Sequence, residues 1–290
     1  MAQCLAKTEA ARRVTPGRRG AVMPDADMPL VLRADTAQGI TTLTLNRPAA
    51  RNALSFAMLG ALADALAGIA ADASVRVVIL AAEGPVFCAG HDLREITARR
   101  ADPDGGRAFF EAAMRRCAQV MQAIVALPQP VIAQVQGVAT AAGCQLVATC
   151  DLAVASDAAR FCTPGVDIGL FCSTPAVALS RAVAAKPAME MLLTGEMIGA
   201  EHAERIGLVN RVVPAARLAE ETMALATHIA ARSAHTVRIG KAAFHRQRGL
   251  PLDQAYEHCA AVMTGNLLAE DAIEGIGAFL DKRPPVWRDR

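Results

Sequence analysis

Residues Val75 to Ala81 form an apolar run of strand length, interrupted only at Arg76 and with no alternation of apolar and polar side chains. A strand of that kind is buried on both faces, so it belongs inside a sheet that is covered on both sides. Pro130 to Val135 repeats the pattern, and Leu152 to Ala155 gives a third short apolar strand. Helical stretches separate them. Ser55 is placed to cap a helix that carries Leu59, Leu62, Leu66 and Ile69 on one face. A second helix is expected from about Gly106 to Ala126, and the small-residue segment Thr140 to Ala148 opens a third. Strands alternating with helices through short connections give an α/β fold.

The ends of the chain differ from this middle. Leu30 to Arg33 and Gly39 to Leu45 read as two strands around a turn at Ala34 to Gln38. From Thr174 onward the pattern is almost wholly helical, with candidates at Glu201 to Ile206, Leu218 to Ala231, Ser233 to Arg248, Leu252 to Leu268 and Glu270 to Leu280, and one strand at Leu208 to Val213. Several carry apolar residues on more than one face, which implies burial against another subunit. The organisation expected is a disordered extension over 1–28, a core over 29–215 and a helical region over 216–290. The extension carries Lys7, Arg12, Arg13, Arg18 and Arg19, and so reads either as an organelle transit peptide or as a disordered leader.

Bulk properties remove several function classes. A net charge of +2 over 290 residues gives no concentrated basic face for nucleic acid. No apolar run reaches the roughly 18–20 residues that a membrane span needs. The eight cysteines form no CxxC pair and no cluster with histidine, so no metal is expected. Most lie in apolar stretches (Cys88, Cys117, Cys144, Cys150, Cys162, Cys172) and read as buried reduced thiols.

The chemistry points to two segments where buried strands run into small residues: Gly84 to Leu93 and Gly137 to Leu146. Ligands of open α/β sheets sit at such carboxyl ends. Small residues let backbone N–H groups approach a ligand, and the second segment also opens a helix whose free amides favour negative charge. Two amides aimed at one oxygen make an oxyanion hole, which stabilises an enolate. The plainer alternative for each segment is a tight turn without a ligand.

These segments belong to a longer series. Asn46-Arg47-Pro48 with Asn52-Ala53-Leu54, Phe87 to Leu93, Pro130 to Ala133 with Gly137, Cys150-Asp151-Leu152, Leu193-Thr194-Gly195, Gly207 to Asn210 and Phe279 to Arg283 follow one another in the chain. In that order they resemble the signatures of the crotonase (enoyl-CoA hydratase/isomerase) superfamily, over about residues 30 to 288. The resemblance implies a spiral of ββα units, a helical C-terminal region, trimers that often pair into hexamers, and a role in fatty acid metabolism. It implies an acyl-CoA or enoyl-CoA thioester as substrate, with no cofactor beyond the coenzyme A that the substrate carries. The oxyanion amides fall on His91 and Ala142. Ala89, Asp92, Leu93, Ala141 and Gly143 line the site, and Arg51, Phe279 and Lys282 meet the CoA moiety, the last two from a neighbouring subunit. Asp92 has a simpler reading as the cap of a helix starting at Leu93. The His91 side chain reads more readily as a solvated loop residue than as a catalyst.

The resemblance breaks at the acids. Gln145 stands where a hydratase of this family holds its first glutamate, and Gly165, after Pro164, where it holds the second. Glutamine cannot accept a proton near neutral pH, and glycine has no side chain. The further acidic position of some isomerases maps to Ser173. Asp167 is the carboxylate nearby, and on a strand its side chain would turn away from the site. Three functions follow: an acyl-CoA enzyme with its oxyanion hole and another proton donor, a catalytically silent acyl-CoA binder, and an RNA-binding homologue, for which Arg99-Arg100 and Arg115-Arg116 are sparse support. Such a protein belongs in the cytoplasm of a bacterium or the mitochondrial matrix of a eukaryote.

Overall fold

The protein was analysed as a computed structural model that describes residues 28–290; the extension expected over 1–28 lies, except for Met28, outside them. The chain opens with a hairpin of β1 (Val31–Asp35) and β2 (Ile40–Leu45) and continues into α1 (Phe56–Ala70). Then come β3 (Val77–Ala82), β4 (Val86–Cys88), α2 (Leu93–Arg99) and α3 (Arg107–Ala126). The pattern repeats with β5 (Val131–Val135), β6 (Val138–Thr140) and α4 (Ala142–Thr149). It repeats again with β7 (Leu152–Ser156), β8 (Arg160–Cys162), a 3₁₀ turn at Pro164–Ile168, α5 (Ser173–Ala182) and α6 (Ala185–Thr194). The remainder is β9 (Ile198–Gly199), α7 (Ala200–Arg205), β10 (Arg211–Val213), α8 (Leu218–Ala230), α9 (Ala234–Gln247), α10 (Leu252–Leu267) and α11 (Glu270–Leu280).

Two sheets result. The larger runs β1-β2-β3-β5-β7-β10 and is parallel except for the first pair; the smaller runs β4-β6-β8-β9. Three times the chain lays a strand in the large sheet, then one in the small sheet, then a helix. That is the spiral of ββα units. The small sheet is what the sequence reading missed, because β4, β6 and β8 have only three residues each and hide inside segments that read as loops. The strand expected from Leu208 starts only at Arg211.

Burial explains the long apolar run. Along β3, Val78 and Leu80 join the core under α1, α3 and α4, while Val77, Ile79 and Ala81 face Leu218, Ala226 and Ala230 of α8. Side chains alternate, yet both faces are dry. The Ser55 hydroxyl accepts from the Met58 amide at 3.2 Å and starts α1. That helix then buries Met58, Leu59, Leu62, Leu66 and Ile69, each contributing roughly 1.5–3 kcal/mol.

One polar contact fixes α9 to this core. Lys241 Nζ donates to Asp151 Oδ2 at 2.7 Å and to the carbonyls of Ile124 and Gln129 at 3.0 Å. All three ammonium protons are therefore used in a side chain that is only 7% exposed. Asp151 also accepts from the Val131 amide at 2.7 Å. The tail returns to the same end: Asp289 pairs with Arg76 at 2.6 Å, and buried Asp271 accepts from Ser233 and from the amides of Arg288 and Asp289. In contrast, α10, α11 and the turn between them leave Tyr256, Met263, Leu268, Ile273, Phe279 and Leu280 more than half exposed. Replacing Lys241 by Ala leaves the half-buried Asp151 carboxylate with only the Val131 amide and His245 as partners, and urea unfolding should show a loss of about 1–3 kcal/mol.

Candidate active site

The segment from Cys88 to Asp92 is held from three directions. Asn52, fully buried, donates through Nδ2 to the carbonyls of Glu83 and Val86, both at 2.8 Å. The Ala89 amide donates to Arg51 O at 3.1 Å, Leu54 N to Gly90 O at 2.8 Å, and Asp92 N to Leu54 O at 3.3 Å. Thr140 Oγ1, from the end of β6, donates to Ala89 O at 3.0 Å. The Asp92 side chain caps α2 by accepting from the amides of Arg94 and Glu95, and pairs with Arg47 at 2.7 Å. Burial raises the pKa of that carboxyl, but the bonds from Arg47 and the α2 amides outweigh it and hold it below the ordinary value.

Glycines set the distance between this segment and α4. A Cβ on Gly143 would stand 2.1 Å from Cys88 O, and one on Gly137 2.0 Å from Pro85 O. Gly90, at φ 83°, has Ala142 N 3.3 Å from the place of its missing Cβ. His91 and Ala142 are therefore brought together. Among the described residues, the His91 amide donates to no carbonyl, although Ala89 and Asp92 on either side of it do. Ala142 is the first residue of α4, where no carbonyl one turn back can receive its N–H. Two amides without a backbone acceptor thus lie on neighbouring segments.

Ala141 carries the strain of that arrangement, with φ 49° and ψ −117°, a conformation that favours glycine. The expected acid positions behave differently from each other. Gln145 is buried, and its Oε1 takes a weak bond from Cys117 Sγ of α3 at 3.9 Å. Gly165 does not lie on a strand as expected, because β8 ends at Cys162 and Pro164 turns the chain into the 3₁₀ turn. A Cβ there would stand 2.8 Å from Leu170 O and 2.9 Å from Cys172 Sγ. The space of a second acid is filled by protein. Asp167 shares that turn, is exposed, and has Oδ1 3.3 Å from the place of a Cβ on Gly195. Its side-chain direction is therefore set by the turn and not by strand alternation.

His91 also departs from expectation. Its imidazole is half-buried: Nε2 is out of contact with solvent and has no hydrogen-bond partner among the described residues. Burial lowers its pKa below 6.5, and the Leu54 carbonyl opposes this only in part, so the ring is neutral at pH 7. The thiols are inert by the same cause. Burial pushes Cys88 up to about 12 and Cys117 and Cys162 up to about 11, and raises Cys144, Cys150 and Cys172 as well. Among the described residues, no group of three His, Cys, Asp or Glu could hold a metal ion, and no helix is long and apolar enough to cross a membrane.

Arg51 is exposed, with φ 54°, on the loop facing Ala89; Leu93 is half exposed at the start of α2. Phe279 is 82% exposed at the end of α11, and Lys282, at φ 56°, follows it on the surface. A cleft of about 1430 Å³ bordered by α3, α4, α5 and α9 reaches Gln145 but includes neither His91 nor Ala142 in its wall. The His91 and Ala142 amides thus lie outside that cleft, on the segments that Gly90 and Gly143 hold close.

The model of the family described as enoyl-CoA hydratase/isomerase matches residues 35–290. The chain belongs to this family. It is 50% identical over 249 residues to the human protein named enoyl-CoA hydratase domain-containing protein 3, mitochondrial, covering 86% of this chain and 80% of that one. It is 34% identical to 2,3-dehydroadipyl-CoA hydratase of Escherichia coli, with 87% and 96% covered. The crystal structure of an enoyl-CoA hydratase from Mycobacterium smegmatis superposes with a TM-score of 0.86 at 52% identity, covering 90% of this chain and 99% of that one. That of human enoyl-CoA hydratase domain-containing protein 3 gives 0.84 at 48%, covering 89% and 100%.

Ala141→Gly should relieve the backbone and raise stability by about 1 kcal/mol in urea unfolding. The lowered pKa of His91 has its own sign. Below pH 6.5 the unfolded chain binds a proton that the folded chain refuses, so stability drops as the pH is lowered past 6.5. His91→Gln should flatten that loss on the acid side of 6.5, as read from urea midpoints.

Proposed function

We propose that this protein acts on an acyl-CoA or enoyl-CoA thioester by stabilising an enolate, with the His91 and Ala142 amides receiving the thioester oxygen. The observation that carries this reading is the pair of unpaired amides brought together by Gly90 and Gly143. Negative charge that develops on the oxygen strengthens both bonds, and removing one such donor typically costs about 3–4 kcal/mol of transition-state stabilisation. Ala89, Asp92, Leu93, Ala141 and Gly143 frame the reacting group. Arg51 meets the CoA phosphates, and Phe279 and Lys282 meet the CoA of a neighbouring subunit. No cofactor beyond coenzyme A takes part.

Ordinary two-glutamate hydration does not fit Gln145 and the filled space at Gly165. Isomerisation or another enolate reaction fits better. A second reading, a catalytically silent acyl-CoA binder, draws on the same filled space. The exposed apolar residues of α10 and α11 support assembly into a trimer or hexamer, to be read by light scattering. The compartment follows the host: the cytoplasm of a bacterium, or the mitochondrial matrix of a eukaryote, as the name of the human relative states for that protein.

The test pairs calorimetry of acyl-CoA binding with single-turnover assays on crotonyl-CoA and longer enoyl-CoAs. Binding with turnover supports the enzyme, binding without any reaction supports the silent binder, and no binding overturns both. Arg51→Ala should weaken acyl-CoA binding by roughly two- to fivefold, as expected for an exposed ion pair of about 0.5–1 kcal/mol.

A further inference from the structure

Resting on the thioester reading above, we infer that Thr140 is a positioning residue of this site: its hydroxyl holds the peptide before Gly90 and thereby fixes how the His91 amide is presented beside Ala142.

The two peptides that meet at Gly90 are anchored by different groups. The Gly90 carbonyl accepts from the Leu54 amide at 2.8 Å. A trans peptide is planar, with its N–H and C=O on opposite sides, so this bond turns the His91 N–H away from Leu54. In the preceding peptide, the Ala89 carbonyl receives the Thr140 hydroxyl at 3.0 Å, and no backbone amide among the described residues donates to it. Gly90 joins the two at φ 83°, and a glycine left to itself holds neither of them in place. Without the hydroxyl, the Ala89–Gly90 peptide can turn and take the Gly90–His91 peptide with it. Of the hydrogen bonds that reach the backbone of residues 89–91 from other segments, Thr140 supplies the one made by a side chain.

Thr140 is itself firmly mounted. It ends β6, where it pairs with Cys162 of β8, and the next amide, that of Ala141, donates to the Cys162 carbonyl at 2.9 Å. A β-branched side chain on a strand has few rotamers open to it, so the hydroxyl stays where the backbone puts it. On its other side, the register of β4 against β6 shifts between Val86 and Cys88, and the pairing stops at Cys88 with Ala139. The next pair along would be Ala89 with Thr140. There the side-chain bond stands in for a ladder bond and carries the alignment of the two strands past their last pair. The close approach continues at Gly90, whose missing Cβ would stand 3.1 Å from Thr140 O and 3.3 Å from Ala142 N. Asn52 has a different task, since its bonds go to Glu83 and Val86, ahead of the register shift, and so place β4 as a whole.

The test reads the stretching band of a bound thioester carbonyl, which falls in frequency as hydrogen bonds to its oxygen strengthen and requires no turnover. Isotope-edited infrared spectra of butyryl-CoA labelled with ¹³C at that carbonyl are compared for the wild type, Thr140→Val, Thr140→Ala and Thr140→Ser, with affinities from calorimetry. The wild type should lower the band on binding. Thr140→Val keeps the shape and removes the hydroxyl, and should lose about half of that shift, the share of one of two donors. Thr140→Ala should lose as much, and replaces the valine variant if that one does not fold. Thr140→Ser keeps a hydroxyl and should retain most of the shift. Affinity should change by less than about fivefold in each, because a hydrogen bond to an uncharged carbonyl adds little to binding. A merely structural role would lower stability and affinity but leave the band of the bound ligand where the wild type puts it. The full wild-type shift in folded Thr140→Val or Thr140→Ala overturns the proposal, as does a loss in Thr140→Ser equal to that of the other two. A wild type that binds butyryl-CoA without any shift overturns it together with the oxyanion assignment. Failure of the wild type to bind at all overturns the thioester reading itself.

Discussion

The contact of Gly143 with the Cys88 carbonyl, repeated by Gly137 on Pro85, governs the geometry of this molecule. Both bring backbone against backbone at separations that no side chain permits. They let β4 and β6 lie side by side, and they bring the first turn of α4 to the segment after β4. The spiral folds around these points, since each further turn of chain must pack on a pair of strands already so close. Any Cβ at Gly143 would push α4 off the sheet and separate the amides of His91 and Ala142.

Closeness has a cost at Ala141, whose backbone is held where glycine would be comfortable. Strain of this kind persists only where surrounding contacts over-determine the chain. Here they are the Ala141 amide bonded to the Cys162 carbonyl and the Thr140 hydroxyl bonded to Ala89. A nearby change has the opposite character. At Gly165 the chain has not merely lost an acid: Leu170 O and Cys172 Sγ occupy its place, and the Leu170 amide closes the turn onto the Gly165 carbonyl at 2.9 Å. Restoring glutamate there would require rebuilding the turn.

Much of this was legible in the sequence. The doubly buried strand, the Ser55 cap and the C-terminal helices all follow from periodicity and local chemistry, and the helix bounds agree to within a residue or two for α3, α8, α9, α10 and α11. The family followed from ordered motifs. The small sheet was not legible, because three residues cannot display a period and the pairing of β4, β6 and β8 is wholly long-range. The burial of His91 Nε2 was equally hidden: a histidine between glycine and aspartate reads as a surface turn, and its pairing with Leu54 across the parallel bridge is long-range. The course of Pro164–Ile168 could have been suspected from Pro164 and Gly165, both poor strand formers.

The salt bridge between Asp151 and Lys241 joins residues ninety positions apart. During synthesis the sheet around Asp151 emerges well before its cation, so the nascent core carries a carboxylate that has no countercharge. Loop closure over such a span is slow compared with forming a local helix. The spiral can gather early, but it closes only when α9 arrives. The helices beyond α9 thus find a finished core to pack on only once Lys241 has reached Asp151.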